Sequence, residues 1–165
     1  MTSTSAINFR YFVISRKSVR IIIFLSLFLW CLGFSVNSLI PENKAIIFYP
    51  LLKQIYSTVC HQVEYKSFQA NGIIFLVCAR CSGIYFGALL VSVLFLIYPK
   101  KISFKIDYLF IAAAPMLIDV IFYSAGIYAY SKTIAFITGL IFGSVVIFFI
   151  LISIEDHLLK GYIKA

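Results

Sequence analysis

Four apolar runs constrain this chain more than any other feature. They cover residues 21–40, roughly 77–98, 106–124 and 133–154. A hydrocarbon core of about 30 Å is crossed by about twenty helical residues, and each run meets that length within the uncertainty of its ends. Inside lipid the backbone must satisfy its own hydrogen bonds, so such runs are helices rather than open strands. Composition agrees: 62% of the residues are apolar and 12% charged, whereas soluble domains carry about a quarter charged. The reading is an all-α, four-helix integral membrane bundle forming one domain over residues 1–165. Pro41 and Pro99 stand just past two span ends, where a residue without an N–H stops a helix. The first run is long and lacks a small-residue cleavage site, so it is read as an uncleaved span.

The net charge of +8 is read as topology rather than as a nucleic-acid surface, because Lys and Arg collect in cytoplasmic loops. Nine basic residues flank the spans on one side: Arg10, Arg16, Lys17, Arg20, Lys100, Lys101, Lys105, Lys160 and Lys164. Four flank the other: Lys44, Lys53, Lys66 and Lys132. Both termini are therefore expected in the cytoplasm of a cell whose inner membrane holds the protein. The long loop 41–76 and the short link 125–132 then face outside. The bilayer is the expected partner, with a homo-oligomer or another membrane protein beside it, and no nucleic acid. The aromatic content of "IIFYPLLKQIYSTV" argues against disorder in the long loop. It predicts an interfacial helix with Tyr49 and Tyr56 at headgroup level.

A weak internal repeat joins the second and fourth spans. "SGIYFGALLV" (82–91) matches "TGLIFGSVVI" (138–147). Both segments enter from the same side, so the helices run parallel, with Gly83 and Gly87 level with Gly139 and Gly143. G-x-x-x-G lets two helix backbones approach closely in lipid, within one chain or across a dimer. Two charged residues lie inside spans and away from their cytoplasmic ends, Arg80 and Asp119. Charges there are costly and usually paired. Arg80 lies about one turn into the second span, and Asp119 lies roughly 7 Å below the outer end of the third, at 1.5 Å per residue. Their depths agree, which predicts an ion pair in the outer third of the bundle.

Three of the four cysteines sit where the long loop meets the second span: Cys60, followed by His61, then Cys78 and Cys81 in C-x-x-C spacing. Three chemistries fit this pattern. Cys60, His61, Cys78 and Cys81 make a Cys₃His set for a structural zinc ion. A C-x-x-C pair at a helix start, where the helix dipole stabilises thiolates, suits thiol–disulfide exchange. Cys60 joined to Cys78 or Cys81 makes a plain staple. In layout alone the chain resembles the quinone-linked disulfide-forming enzymes and the vitamin K epoxide reductase relatives, but those use a second cysteine pair. Cys31, lone within the first span, is read as a packed apolar group. Trp30 is read as a lipid or core contact, and His157 as solvated. No nucleotide loop, catalytic triad or paired catalytic carboxylates are present, and no catalytic residue or organic cofactor is assigned.

At "CHQ" (60–62), "KSF" (66–68) and "CARCSGIYFG" (78–87) the sequence resembles the membrane family called domain of unknown function 2085. The family pattern continues with Pro-x-x-x-Asp, here Pro115 and Asp119, and Thr-Gly-x-x-x-Gly, here Thr138 to Gly143. Lys66, Leu76 and Ser82 stand where the pattern has Arg, Pro and Thr. Its arginine near the start of the last span has no counterpart, Ala135 lying near that place. The resemblance implies a small multi-pass membrane protein and singles out these residues. It implies no reaction.

Overall fold

The computed structural model describes residues 16–39, 49–70, 73–98 and 106–163. Pro41 and Pro99 lie outside the described residues, as do Lys44, Lys100, Lys101, Lys105 and the segment carrying Arg10. The backbone at His157 is helical, but its side chain lies outside the description.

Five helices are present among these residues: α1 (Arg16–Leu39), α2 (Tyr49–Ser57), α3 (Ala79–Ile97), α4 (Asp107–Ser124) and α5 (Lys132–Ile163). Four of them, α1, α3, α4 and α5, are long and apolar enough to cross a membrane. Pro115 falls inside α4, which continues through it. The short α2 lies in the connection between α1 and α3, and its Tyr49 is exposed. Tyr56 departs from the headgroup position expected of it. It is buried, and its hydroxyl donates to Trp30 O at 2.8 Å. Gly33 makes this possible, because a Cβ there would meet the Tyr56 hydroxyl.

The four-span helical architecture stands, and the loop between the first two spans adds an element the sequence reading leaves out. A 3-10 turn (Glu64–Lys66) leads into an antiparallel hairpin of β1 (Ser67–Ala70) and β2 (Ile73–Cys78). Ser67 pairs with Cys78, and Gln69 with Ile74, with a register irregularity between Ser67 and Gln69. By sequence, residues 73–76 belong to the long loop and the second span starts near residue 77. The apolar run from Ile73 is strand up to Cys78, and the helix starts at Ala79 instead. The local signal is Asn71-Gly72, the dipeptide favoured in two-residue hairpin turns; those two residues lie outside the description.

The molecule has two kinds of core. At the cap end, Phe34 and Cys31 from α1 meet Tyr56, Cys60, Leu76 and Val77. Phe34 and Val77 are fully buried, and rings of Tyr56, Phe75, Tyr85 and Phe86 surround Phe34 at 5.7–6.3 Å. Here α2 and the hairpin cover the span ends, so exclusion of water contributes. Between α3 and α5 there is no such driving force in lipid, and close packing takes its place. A Cβ on Gly83 would strike Phe136 O, and one on Gly139 would strike Arg80 O. Gly87 lies against Leu140 O and Gly143 against Ile84 O in the same reciprocal way. Every one of the four glycines receives a carbonyl of the facing helix.

Candidate metal centre

The thiols are brought together by three consecutive local decisions. First, α2 ends and the Cys60 N–H donates to Tyr56 O at 3.0 Å, turning Cys60 inward, where it is 7% exposed. Second, the hairpin returns the chain, and β2 ends at Cys78, whose N–H donates to Cys60 Sγ at 3.2 Å. Third, Cys78 serves as the N-cap of α3 with extended backbone (φ −69°, ψ 162°), which puts Cys81 in the first turn. The Sγ atoms of Cys60, Cys78 and Cys81 all lie within 4.8 Å of one another. Cys78 and Cys81 are half-buried.

His61 is not brought into this group. It is exposed, whereas Cys60 is buried, and it is not among the residues whose ligand atoms lie together. Gln62 follows with φ 49°, a left-handed conformation uncommon outside glycine. Its amide donates to Lys53 O at 3.0 Å, which holds the turn against α2. The Cys₃His expectation therefore meets three thiols in one place and the imidazole elsewhere. Cys31 joins the cap core and is buried as a packed thiol. All four cysteines are free.

The three sulfurs are electrostatically unequal. The Cys60 thiol is held far below the ordinary range, because the Cys78 and Cys81 thiols and the Cys78 N–H all donate to its sulfur. Donation to Cys60 in turn pushes Cys78 up. The cluster thus holds one thiolate stabilised by two thiols, at the start of a helix whose dipole favours negative charge.

Beside the cluster, the Arg80 guanidinium forms an ion pair with Asp119. Asp119 is 5% exposed and also accepts from the Tyr128 hydroxyl. Tyr128 lies in the α4–α5 link and is not singled out by sequence, since a loop tyrosine carries no spacing signal. Arg80 Nε is buried with no partner. Tyr130, in the same link, is raised to about 12, chiefly by burial. Further out, the Lys66 ammonium stands over the rings of Tyr123, Tyr65 and Tyr130 at 4.5, 5.3 and 5.4 Å. The Tyr65 and Tyr123 hydroxyls are hydrogen-bonded at 2.8 Å. This cage ties the turn before the hairpin to α4 and its following link.

A second buried ion pair occupies the opposite, tail end. Arg20 Nε meets Glu155 Oε1 at 2.5 Å, Nη1 donates to Phe95 O at 2.8 Å, and the guanidinium carbon stands 5.4 Å from the Phe95 ring centroid. Both residues are 7% exposed. In sequence Arg20 is one flanking charge among nine, and nothing points Glu155 toward it, because the two are 135 positions apart.

Fold and cap together define a four-span membrane protein whose polar cap is lined with thiols. The chain belongs to the family described as predicted membrane protein (DUF2085), which matches residues 60–149. That stretch holds the three thiols, the Arg80–Asp119 pair and all four seam glycines. The uncharacterized protein MJ1492 of Methanocaldococcus jannaschii is 40% identical over 114 residues, covering 67% of this chain and 73% of that protein. No solved structure matches the chain.

Proposed function

We propose that this membrane protein is a non-catalytic accessory in transport, envelope assembly or metal handling, and that its cap holds a zinc ion on Cys60, Cys78 and Cys81. The observation that carries the reading is the approach of the three Sγ atoms to within 4.8 Å. Zinc–thiolate bonds of about 2.3 Å at tetrahedral angles put sulfurs about 3.8 Å apart, so a contraction of at most about 1 Å closes the site. Charge favours a divalent ion. Three thiolates around it leave one net negative charge, around a monovalent ion two, and Arg80 is already paired with Asp119. Removing the buried Arg20 from the basic flank leaves eight residues against four, so the charge bias still favours an orientation with the cap on the non-cytoplasmic side of an inner membrane.

Metal analysis of detergent-purified protein tests this. One zinc per chain in the wild type, lost in Cys78→Ser/Cys81→Ser, supports it. A metal-free wild type sinks it.

A second reading, a thiol–disulfide oxidoreductase, is favoured by the ionised Cys60 beside a C-x-x-C pair. Two thiols would be oxidised to a disulfide, with two electrons and two protons passing to a partner disulfide. Reversible mobility shifts on alkylation, in protein without metal, would favour that reading instead.

A further inference from the structure

We infer that the ion held by Cys60, Cys78 and Cys81 keeps its fourth coordination position open to an exchangeable, neutral donor of the imidazole or water type. The inference rests on the zinc reading above and deepens it. Three sulfurs within 4.8 Å occupy three corners of a tetrahedron. Among the described residues no other His, Cys, Asp or Glu joins the group, and His61, one position from a ligand, faces solvent. One flank of the cluster is walled: buried Cys60 packs with Phe34, Tyr56, Leu76 and Val77, none of which can ligate zinc from an apolar core. The other flank carries Cys78 and Cys81, which are only half-buried.

The chemistry of the fourth corner follows from charge. A divalent ion on three thiolates is already anionic, so a neutral donor is accepted more readily than an anion. Closed four-ligand zinc sites are structural, whereas sites with three protein ligands exchange their fourth. The centre is thereby assigned to ligand capture or transfer rather than to stapling the loop. The donor is either a small molecule or an imidazole side chain presented by a partner, and both share one coordination chemistry.

The test uses cobalt(II) as the probe in full-length protein purified in detergent, because its ligand-field bands report the donor set. Free imidazole is titrated into the cobalt-loaded wild type and into His61→Ala. The expected result is a saturable band shift, identical in the two proteins, with the sulfur-to-cobalt charge-transfer intensity kept. Cobalt affinity should be equal in the two, whereas loss even of an outer-shell partner costs about 10–100-fold. Bands inert to imidazole, or a changed spectrum and weakened affinity in His61→Ala, overturn the open position while leaving the thiolate centre intact. Failure of the wild type to bind stoichiometric cobalt overturns the metal reading and the inference with it.

Discussion

The two ends of the bundle solve the same problem differently. Each buries an arginine–carboxylate pair between two helices distant in sequence. At the tail end Arg20 and Glu155 are both nearly sealed, and the guanidinium is further committed to Phe95 O and the Phe95 ring. At the cap end the Asp119 side chain is sealed, but that of Arg80 remains 19% exposed and its Nε has no partner. The tail guanidinium is engaged by a carboxylate, a carbonyl and a ring. The cap pair sits beside three thiols and a tyrosine-caged lysine, with donors to spare. Chemistry is expected where charge is buried but incompletely satisfied.

The seam between α3 and α5 connects the two ends, and breaking it should have the largest effect of all. Gly143→Val places side-chain carbons where Ile84 O sits, backbone against backbone, so neither helix can yield by a rotamer change. Loss of the folded monomer in detergent is expected, seen as aggregation on size exclusion. A stable, monodisperse Gly143→Val protein would show that the two helices are not seated on one another. Next in size are the pairs themselves. Removing one partner of a buried pair costs about 3–5 kcal/mol, because the other charge is left alone. Glu155→Gln should therefore lower the thermal midpoint more than Asp119→Asn, since Arg80 can reach water and Arg20 cannot. The reverse order would mean that the cap pair is the structural one.

Much of this architecture is legible in the sequence, and the part that is not has physical causes. Span identity follows from apolar length. The Arg80–Asp119 pair is legible because a charge inside lipid needs an opposite charge, and the four-glycine seam because G-x-x-x-G repeated at one depth lets two backbones touch. The hairpin is hidden because a continuous apolar strand running into an apolar helix shows no change of period at the junction, and only Asn71-Gly72 marks it. Arg20–Glu155 is hidden because a charge near a span end is ordinarily satisfied by solvent or headgroups. His61 enters the expected metal set by adjacency to Cys60, but adjacency in sequence does not place two side chains together, and His61 is exposed where Cys60 is buried.

The thiol cluster adds a pH-dependent contribution to stability. In reduced, metal-free protein, Cys60 is ionised in the folded state, while an unfolded thiol titrates near about 8.5. Below that value the unfolded chain binds more protons, so stability rises with pH from the acid side. Cys78 is raised, so above about 8.5 the unfolded chain loses a proton that the folded chain keeps, and stability falls. A maximum near about 8.5 is expected in thermal unfolding. Cys60→Ser should flatten the acid limb. An unchanged acid limb in Cys60→Ser would place the titrating group elsewhere.

The smallest effect is expected at the rim, where Lys66 stands over Tyr65, Tyr123 and Tyr130. Burial lowers the Lys66 ammonium, but the Tyr65 and Tyr123 hydroxyls outweigh it and hold the group above its ordinary value, so it stays cationic through neutral pH. Cation–π contacts at exposed sites contribute about 0.5–1 kcal/mol. Lys66→Met keeps the length of the side chain and removes the charge. Its global stability should fall by no more than that amount, while amide exchange quickens locally in β1 and the α4–α5 link. Because the cage ties the hairpin to α4 and the hairpin delivers Cys78, the same variant should also speed alkylation of Cys78 without altering the environment of Arg20. Equal exchange rates at β1 in the variant and the wild type would reduce the cage to a surface contact and leave the thiols to be positioned by α2 and the N-terminus of α3 alone.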